Sequence, residues 1–131
     1  NRFIPGKRPM STMNPVIVKN KDNNISIITG SPGGSFIPAA ALRVITGIID
    51  FNLDVGQATM LPRIHKDWPY AGLEYESTLS SDIVSVLERL GHQPEASKTL
   101  GSTQSISIID GINYGYADLR RPNAGVAIQV D

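Results

Sequence analysis

The chain has 131 residues, of which 40% are hydrophobic and 18% are charged. This length predicts one domain, covering residues 1–131. Twelve Lys and Arg residues balance twelve Asp and Glu residues, so the formal net charge is zero. This balance argues against a broadly basic nucleic-acid binder and against a highly charged disordered tail. No cysteine occurs, which excludes disulfides, thiolate zinc sites and cysteine nucleophiles.

The ends of the chain carry no targeting signal of their own. The apolar runs are far shorter than the roughly 20 residues of a membrane helix, and the start lacks the pattern of a signal peptide. The first residue is Asn1, not methionine. We therefore expect the chain to be an excised or processed piece.

A hairpin followed by a helix is predicted for the first half of the chain. β-Branched residues at 16–19 and 25–29 flank a polar turn, which is typical of a β-hairpin. The glycine-rich segment 30–35 then ends the second strand, and Ser35 is the predicted N-cap of a helix over 36–50. Apolar residues cover almost the whole surface of this helix, so we expect it to be buried.

Shorter elements are predicted for the centre of the chain. Asp54 is expected to cap a short helix that ends before Pro62. Residues 63–71 are predicted to be irregular, and residues 73–75 to form a short strand. A second helix should begin after Ser80 and end at Gly91; its predicted buried face consists of Ile83, Val86, Leu87 and Leu90.

A second hairpin is predicted near the end of the chain. Residues 105–109 and 112–116 flank Asp110 and Gly111, a strong signal for a two-residue hairpin turn. Hairpin, helices and hairpin together predict an α+β layered domain with mostly antiparallel pairing.

The glycine segment is the first candidate site. Segment 30–35 connects a strand to a helix, where backbone N–H groups are unpaired and the helix dipole favours negative charge. It lacks the spacing and the lysine of a phosphate loop. Adjacent glycines allow a ligand oxygen to approach two N–H donors, as in an oxyanion hole. A strand-to-helix turn with unusual dihedrals is the alternative interpretation.

Other candidate residues favour structural roles. Two histidines, His65 and His92, are too few to predict a zinc site. His65 and Asp67 have no spacing that supports a catalytic triad. Arg120 and Arg121 follow Asp118, which predicts either an ion pair or an anion site. Trp68 and Tyr70 are interpreted as packing anchors.

Five segments, in chain order, resemble motifs of the γ-glutamyltranspeptidase family. Residues 7–15 (KRPMSTMNP) resemble K-R-P-x-S-S-M-x-P, and residues 29–35 (TGSPGGS) match T-G-S-P-G-G-S without change. Residues 62–68 (PRIHKDW) resemble P-R-F-H-H-Q-W. Residues 101–105 (GSTQS) reproduce G-S-T-Q-S, and residues 114–122 (YGYADLRRP) resemble Y-G-A-S-D-P-R-R-P.

This resemblance implies the C-terminal part of the family's small subunit. The implied fold is the N-terminal-nucleophile hydrolase fold, with αββα layers, produced by self-cleavage of a precursor. The implied reaction cleaves γ-glutamyl amides such as glutathione through a threonine acyl-enzyme. Water or an amino acid or peptide acceptor then takes the γ-glutamyl group, and neither a cofactor nor a metal is needed.

The resemblance also implies roles for four residues. Gly33 and Gly34 match the glycines whose N–H groups form the oxyanion hole. Ser11 and Thr12 match the paired serines that hold the α-carboxylate of the γ-glutamyl group. The nucleophilic threonine has no counterpart here, so the chain alone is expected to be inactive.

The sequence departs from the family's motifs at several positions. Thr12 replaces a serine, which keeps the hydroxyl group, and Phe36 stands where many members have arginine. Lys66 and Asp67 replace His-Gln, and Leu119 replaces a proline.

The resemblance implies partners and a location as well. The implied partners are the large subunit and the N-terminal part of the small subunit, with glutathione and other γ-glutamyl compounds as substrates and no nucleic acid. The isolated chain is expected to self-associate through uncovered apolar surface. A bacterial member would be periplasmic or secreted.

Two other functions remain open. One is a non-catalytic binding or structural module that retains the loops without the chemistry. The other is a related acylase, either a poly-γ-glutamate processing enzyme or a cephalosporin acylase. Adjacent hydroxyls at Ser11 and Thr12 favour an α-carboxylate ligand over a cephalosporin.

Overall fold

The computed structural model describes residues 2, 4–8, 13–69 and 72–128. Within these ranges the chain forms, in order, β1 (Val16–Lys19), β2 (Ile25–Gly30), α1 (Phe36–Ile49), α2 (Val55–Met60), β3 (Ile64–His65), β4 (Gly72–Glu76), α3 (Ser81–Arg89), β5 (Gln93–Ser97), β6 (Gln104–Ile109) and β7 (Ile112–Ala117). The fold is α+β, as the sequence predicts. None of the helices in these ranges has the length and apolar character needed to cross a membrane.

A four-stranded antiparallel sheet forms the centre of the fold. Its strand order is β1-β2-β6-β7, so the two predicted hairpins lie side by side. Asp110 and Gly111 join β6 to β7 with φ of 50° and 79°, and two consecutive positive values are what this hairpin turn requires. Pairing of β2 with β6 places Gly30 opposite Gln104. Two motifs that are far apart in the sequence therefore meet where β2 ends and β6 begins, at one end of the central strands.

Helix α1 packs on this sheet and on α2 through one face only. Its buried residues are Ile37, Ala40, Ala41, Val44 and Gly47. At Gly47 the helices approach so closely that a Cβ would lie 2.9 Å from the Cβ of Ala58. The prediction of a helix buried almost all round is wrong. Leu42 and Ile49 lie on the outer side and are 60% and 53% exposed.

The helix caps follow the predictions in part. The Asp54 carboxylate accepts a 2.7 Å hydrogen bond from the Gln57 N–H, and the Gln57 side chain accepts one from the Asp54 N–H, forming a capping box. The hydroxyls of Ser35 and Ser80 make no such cap bond to their helices. Gly91 follows α3 with φ of 86°, which confirms the predicted end.

Helix α3 does not bury the face that the sequence predicts. Ile83, Val86 and Leu90 are exposed, Leu87 is half-buried, and no residue of α3 is fully buried. The helix connects two parallel strands at the edge of the structure, and the described residues provide no layer on its outer side.

A second, smaller sheet was not predicted. Its order is β3-β4-β5, with β3 antiparallel and β5 parallel to β4. Strand β3 lies in the segment 63–71 that was expected to be irregular, whereas the predicted strand at 73–75 is confirmed within β4. The β5 sequence QPEAS contains no β-branched or aromatic residue, so its local preference for a strand is weak.

Four charged side chains form an ion network between the two sheets. Nη2 of Arg63, just before β3, lies 2.7 Å from Oδ2 of Asp118, just after β7. Arg120 donates to both oxygens of Glu76, at 2.8 and 2.7 Å, and its Nη1 lies 3.2 Å from Oδ1 of Asp118. Arg63, Glu76 and Asp118 are buried. Of the two interpretations that the sequence leaves open for Arg120 and Arg121, the structure shows the ion pair for Arg120; the participation of Arg63 and Glu76 was not predicted.

The same network holds the backbone of the loop before β6. Glu76 accepts a 3.0 Å hydrogen bond from the Leu100 N–H. Asp118 accepts one of 2.9 Å from the Thr103 N–H. Arg63 donates to the carbonyl oxygens of Leu100 and Gly101 at 3.3 and 3.0 Å. The loop 100–103 is therefore fixed by charged groups from both sheets.

The network also shifts the pKa of Asp118 and of Arg63. Burial by itself would raise the pKa of Asp118, but hydrogen bonds from the Arg120 N–H and the Arg63 side chain outweigh burial and lower this pKa. Burial lowers the pKa of Arg63, although its contact with Asp118 opposes the change. At neutral pH both groups remain charged, so each compensates the burial of the other.

Replacing Asp118 by asparagine tests this network. Asp118→Asn leaves the buried Arg63 guanidinium without its counter-charge, and we expect the free energy of unfolding to fall by about 3–5 kcal/mol. Chemical denaturation of the whole protein measures the change. Asp22→Asn removes a carboxylate from an exposed turn and serves as the matched control. Equal stability of the two variants would contradict a structural role for the network.

Acid should weaken the same interaction. Because the folded-state pKa of Asp118 lies below its unfolded value, its stabilising contribution is complete above the unfolded pKa of about 3.9 and is lost as the pH falls through the folded pKa. We therefore expect a smaller acid-induced loss of stability in Asp118→Asn than in the wild type. Denaturation curves recorded through the acidic range measure this difference. Parallel pH profiles would show that Asp118 does not contribute.

Candidate active site

The glycine segment forms a tight turn between β2 and α1. Gly33 and Gly34 have φ of 140° and 61°, values that residues other than glycine adopt much less often. A Cβ at Gly33 would also lie 3.3 Å from the Cα of Gly101, whereas a Cβ at Gly34 would meet open space. Backbone conformation and close packing therefore both require glycine at Gly33, whereas the φ of Gly34 is close to that of Asp110 and is only unfavourable for other residues.

The first turn of α1 orients the backbone of this glycine turn. The Phe36 N–H donates to the Gly33 oxygen at 3.2 Å, and the Ile37 N–H donates to the Gly34 oxygen at 3.3 Å. The Gly33 C=O and the Gly34 N–H belong to one planar trans peptide and point in opposite directions. Since the carbonyl points into the helix, the Gly34 N–H points away from it.

The two glycine N–H groups have no hydrogen-bond partner among the described residues. Both glycines are exposed, so a ligand can approach them. Unpaired N–H groups at the start of a helix carry a partial positive charge. Two adjacent donors of this kind are what a developing oxyanion needs.

The loop before β6 packs directly against the glycine turn. Oγ of Ser31 accepts a 2.9 Å hydrogen bond from the Ser102 N–H and donates a 2.7 Å bond to the Pro32 oxygen. Gly101 has φ of 82°, and a Cβ there would lie 2.8 Å from Oγ of Ser31. This contact joins the segments TGSPGGS and GSTQS, which the sequence marks as motifs without assigning a role to either serine.

His65 and Asp67 lie beside the first turn of α1. Nε2 of His65 is 2.9 Å from Oδ1 of Asp67, and its ring packs edge-on against Phe36 with centroids 4.8 Å apart. Hydrogen bonds from His65 and, second, from Ser35 lower the pKa of Asp67. The carboxylate thus lies between histidine and serine, whereas a triad needs the histidine in the middle. The structural interpretation of His65 fits this geometry.

A surface cavity of about 510 Å³ opens next to this pair. Besides Phe36, His65 and Asp67, its lining includes the carboxylates Glu74 and Glu95, which are directly paired across β4 and β5. Among the residues described, there is no cluster of three or more His, Cys, Asp or Glu side chains suited to hold a metal ion.

Two of the four predicted site residues cannot be placed. Ser11 and Thr12 lie outside the described residues. The segment that follows them is described, and the Cα of Pro15 lies 3.7 Å from the position of a Cβ on Gly30. Pro15, the residue just before β1, therefore lies beside Gly30, where the glycine segment begins.

Comparisons with known proteins give one consistent result. The family model described as gamma-glutamyltranspeptidase matches residues 1–128. The glutathione hydrolase proenzyme of Escherichia coli (strain K12) is 42% identical over 121 residues, which are 92% of this chain and 21% of that protein. The chain therefore spans about a fifth of the length of this relative.

Solved structures resemble the fold as well. A Helicobacter pylori gamma-glutamyltranspeptidase T380A mutant superposes with a TM-score of 0.83 at 33% identity, covering 91% of this chain and 66% of that one. A cephalosporin acylase from Bacillus halodurans gives a TM-score of 0.78 at 25% identity, covering 85% of this chain and 21% of that one. The family model matches nearly every residue, and the E. coli relative aligns with 92% of the chain at 42% identity. The chain therefore belongs to the γ-glutamyltranspeptidase family.

Proposed function

We propose that the protein carrying this chain is a γ-glutamyltransferase and glutathione hydrolase, and that Gly33 and Gly34 supply its oxyanion hole. The observation that carries this proposal is the pair of exposed glycine N–H groups without a partner among the described residues. The family to which the chain belongs suggests the reaction, and the geometry of the two N–H groups suggests that they bind the oxyanion.

The chemistry follows from that placement. A threonine hydroxyl attacks the γ-carbonyl carbon of the substrate, and its proton passes to the threonine's own amine. Negative charge develops on the carbonyl oxygen, where the N–H groups of Gly33 and Gly34 stabilise it. When this intermediate collapses, the C–N bond of the substrate breaks, the leaving nitrogen takes the proton held by the threonine's amine, and an acyl-enzyme remains. Water or an acceptor amine then takes the γ-glutamyl group. In this proposal the nucleophile comes from a part of the protein outside the 131 residues.

Ser11 and Thr12 are proposed to hold the α-carboxylate of the γ-glutamyl group. Hydroxyl groups are suitable donors for a carboxylate. The position of Pro15 beside Gly30 supports this assignment, because Ser11 and Thr12 lie at most four residues before Pro15 and four residues of chain span at most about 14 Å. The clamp and the oxyanion hole would then contact opposite ends of one small substrate.

The outer face of the central sheet is proposed to contact the rest of the precursor. Ile17, Ile28 and Ile106 are paired across β1, β2 and β6 and share this face. Ile17 is 59% exposed, and Ile106 is 37% exposed. A row of isoleucines on an open sheet favours contact with another layer. The large subunit and the N-terminal part of the small subunit are the proposed partners, and this face would drive self-association of the isolated chain.

A related acylase is the second candidate, because the cephalosporin acylase of B. halodurans shares the fold at 25% identity. The two candidates differ in the substrate that the whole protein accepts. A γ-glutamyl anilide reports γ-glutamyl transfer by release of its chromogenic amine. Turnover of a glutaryl amide without turnover of the γ-glutamyl anilide would favour the acylase, because only the γ-glutamyl group carries an α-carboxylate and an α-amine.

Substitution of Gly34 tests the oxyanion assignment. Gly34→Ala places a side chain at φ of 61°, which favours rotation of the backbone and moves the N–H donor. Loss of one such donor lowers kcat by about 10²–10³-fold. Steady-state kinetics with a γ-glutamyl anilide, on whole and correctly cleaved enzyme, measures the change.

Gly91→Ala is the matched control for this substitution. Gly91 has a similar φ of 86°, its Cβ would also meet open space, and it lies at the end of α3. The two variants should lose comparable stability, whereas only Gly34→Ala should lose kcat. A Gly34→Ala enzyme with the kcat of the control would refute the oxyanion assignment. Equal losses of stability and activity in both variants would indicate that the glycines serve folding alone.

Substitution of Ser11 tests the proposed clamp. Ser11→Ala removes a contact that is made in the ground state and in the transition state alike, so KM should rise by a larger factor than kcat falls. Kinetics with the same γ-glutamyl anilide separates the two parameters. A fall in kcat at constant KM would instead assign Ser11 to the chemical step.

A further inference from the structure

Ser31 connects the loop before β6 to the peptide bond that precedes Gly33. Its hydroxyl accepts the Ser102 N–H at 2.9 Å and uses its one hydrogen to donate to the Pro32 oxygen at 2.7 Å. The second bond lies within the turn itself, and the first comes from a residue 71 positions later in the chain. The hydroxyl therefore connects a distant loop to this one carbonyl group.

The orientation of the Gly33 N–H depends on that carbonyl. The Pro32 C=O and the Gly33 N–H belong to one planar trans peptide, so fixing the carbonyl fixes the N–H in the opposite direction. Helix α1 cannot do this, since its first turn binds the oxygens of Gly33 and Gly34 but not that of Pro32. The two donors thus depend on different supports: Gly34 on the helix, and Gly33 on Ser31.

Glycine makes such a support necessary. Gly33 lacks a side chain to restrict its peptide planes, and its φ of 140° lies where most residues are excluded. The Pro32 carbonyl is also at an exposed position, where water competes as a donor. A hydroxyl that is itself held by the Ser102 N–H restricts the rotation of this peptide.

We propose that Ser31 is a positioning residue, which holds the Pro32–Gly33 peptide so that the Gly33 N–H faces the substrate carbonyl oxygen. The inference rests on the proposed oxyanion role of the glycine turn. Ser31 touches neither the substrate nor the reacting atoms in this account. It acts through the direction of one N–H donor.

Ser31→Ala in the whole enzyme tests this role. The hydroxyl is removed while the glycines remain, so kcat should fall by about tenfold to a hundredfold, less than on complete loss of a donor. KM should change by less than about twofold, because the donor acts mainly in the transition state. Ser26→Ala is the control, since Oγ of Ser26 donates to the Val18 oxygen within the β1–β2 hairpin, far from the glycine turn.

A second pair of variants keeps the test valid if Ser31→Ala folds poorly. Ser31→Thr and Ser31→Val have side chains of the same shape and differ by one hydroxyl. The threonine variant should keep more than half of the wild-type kcat, whereas the valine variant should show the same loss of kcat as Ser31→Ala. Equal kcat in the two variants would overturn the proposal.

A crystal structure of Ser31→Ala provides a readout that does not depend on activity. Rotation of the Pro32–Gly33 peptide, together with a lower kcat, supports the proposal. An unmoved peptide overturns it, whatever the kinetics. If Ser31→Ala keeps the kcat of the control while Gly34→Ala does not, only the role of Ser31 fails. If the peptide rotates and neither variant loses kcat, the oxyanion assignment fails, and with it the catalytic consequence proposed for Ser31.

Discussion

The buried ion network is the interaction on which the rest of the structure depends. Arg63 reaches Asp118 across the gap between the two sheets, and Arg120 reaches Glu76 in the opposite direction. Two arginines and two carboxylates balance in charge, which makes their burial tolerable. Removing any one member leaves a charge uncompensated. The small sheet β3-β4-β5 also buries Leu73, and His65 of β3 packs against Phe36 of α1, so the charged groups add to apolar packing in joining the two sheets.

The network reaches the candidate site through the loop 100–103. Glu76 and Asp118 bind the N–H groups at its two ends, and Arg63 binds carbonyl oxygens between them. The Ser102 N–H, which lies within this fixed loop, holds Ser31. A continuous set of hydrogen bonds therefore runs from the charged groups between the sheets to the glycine turn. Loops that bind substrates are usually mobile. Here the loop 100–103 is held by charged groups, and through Ser31 it restrains the flexible glycine turn.

The sequence predicts the elements whose signals are local. Asp110 and Gly111 define their hairpin by the left-handed conformation they adopt, and Asp54 defines its helix by a side chain that reaches three residues ahead. The glycine turn was also found, because a run of glycines before a helix has few other uses. Strand β5 was missed, because its pairing with β4 across α3 is not visible in its own residues.

Partners that are distant in the sequence account for what was missed at the site. Ser31 looks like any polar turn residue until Ser102 is placed beside it, and the charge on Glu76 has no local partner to suggest burial. The resemblance to known motifs marked these segments without explaining them. Ser11 and Thr12 stay predictions, since both lie outside the described residues.

The central sheet shows why burial could not be deduced from hydrophobicity alone. Its helix-facing side carries Thr29 and Ser105, which are buried and hydrogen-bonded to each other at 2.8 Å, whereas the isoleucines at 17, 28 and 106 face outward. Hydrophobicity alone would place these isoleucines inside, because each apolar side chain gains roughly 1.5–3 kcal/mol on full burial. The polar pair is stable inside because each hydroxyl satisfies the other. Ile27 lies on the same side and is buried as well, so this face combines one large apolar side chain with small polar ones. On the other face of the sheet Ile17 and Ile106 remain exposed, where the proposed contact with the rest of the precursor would cover them.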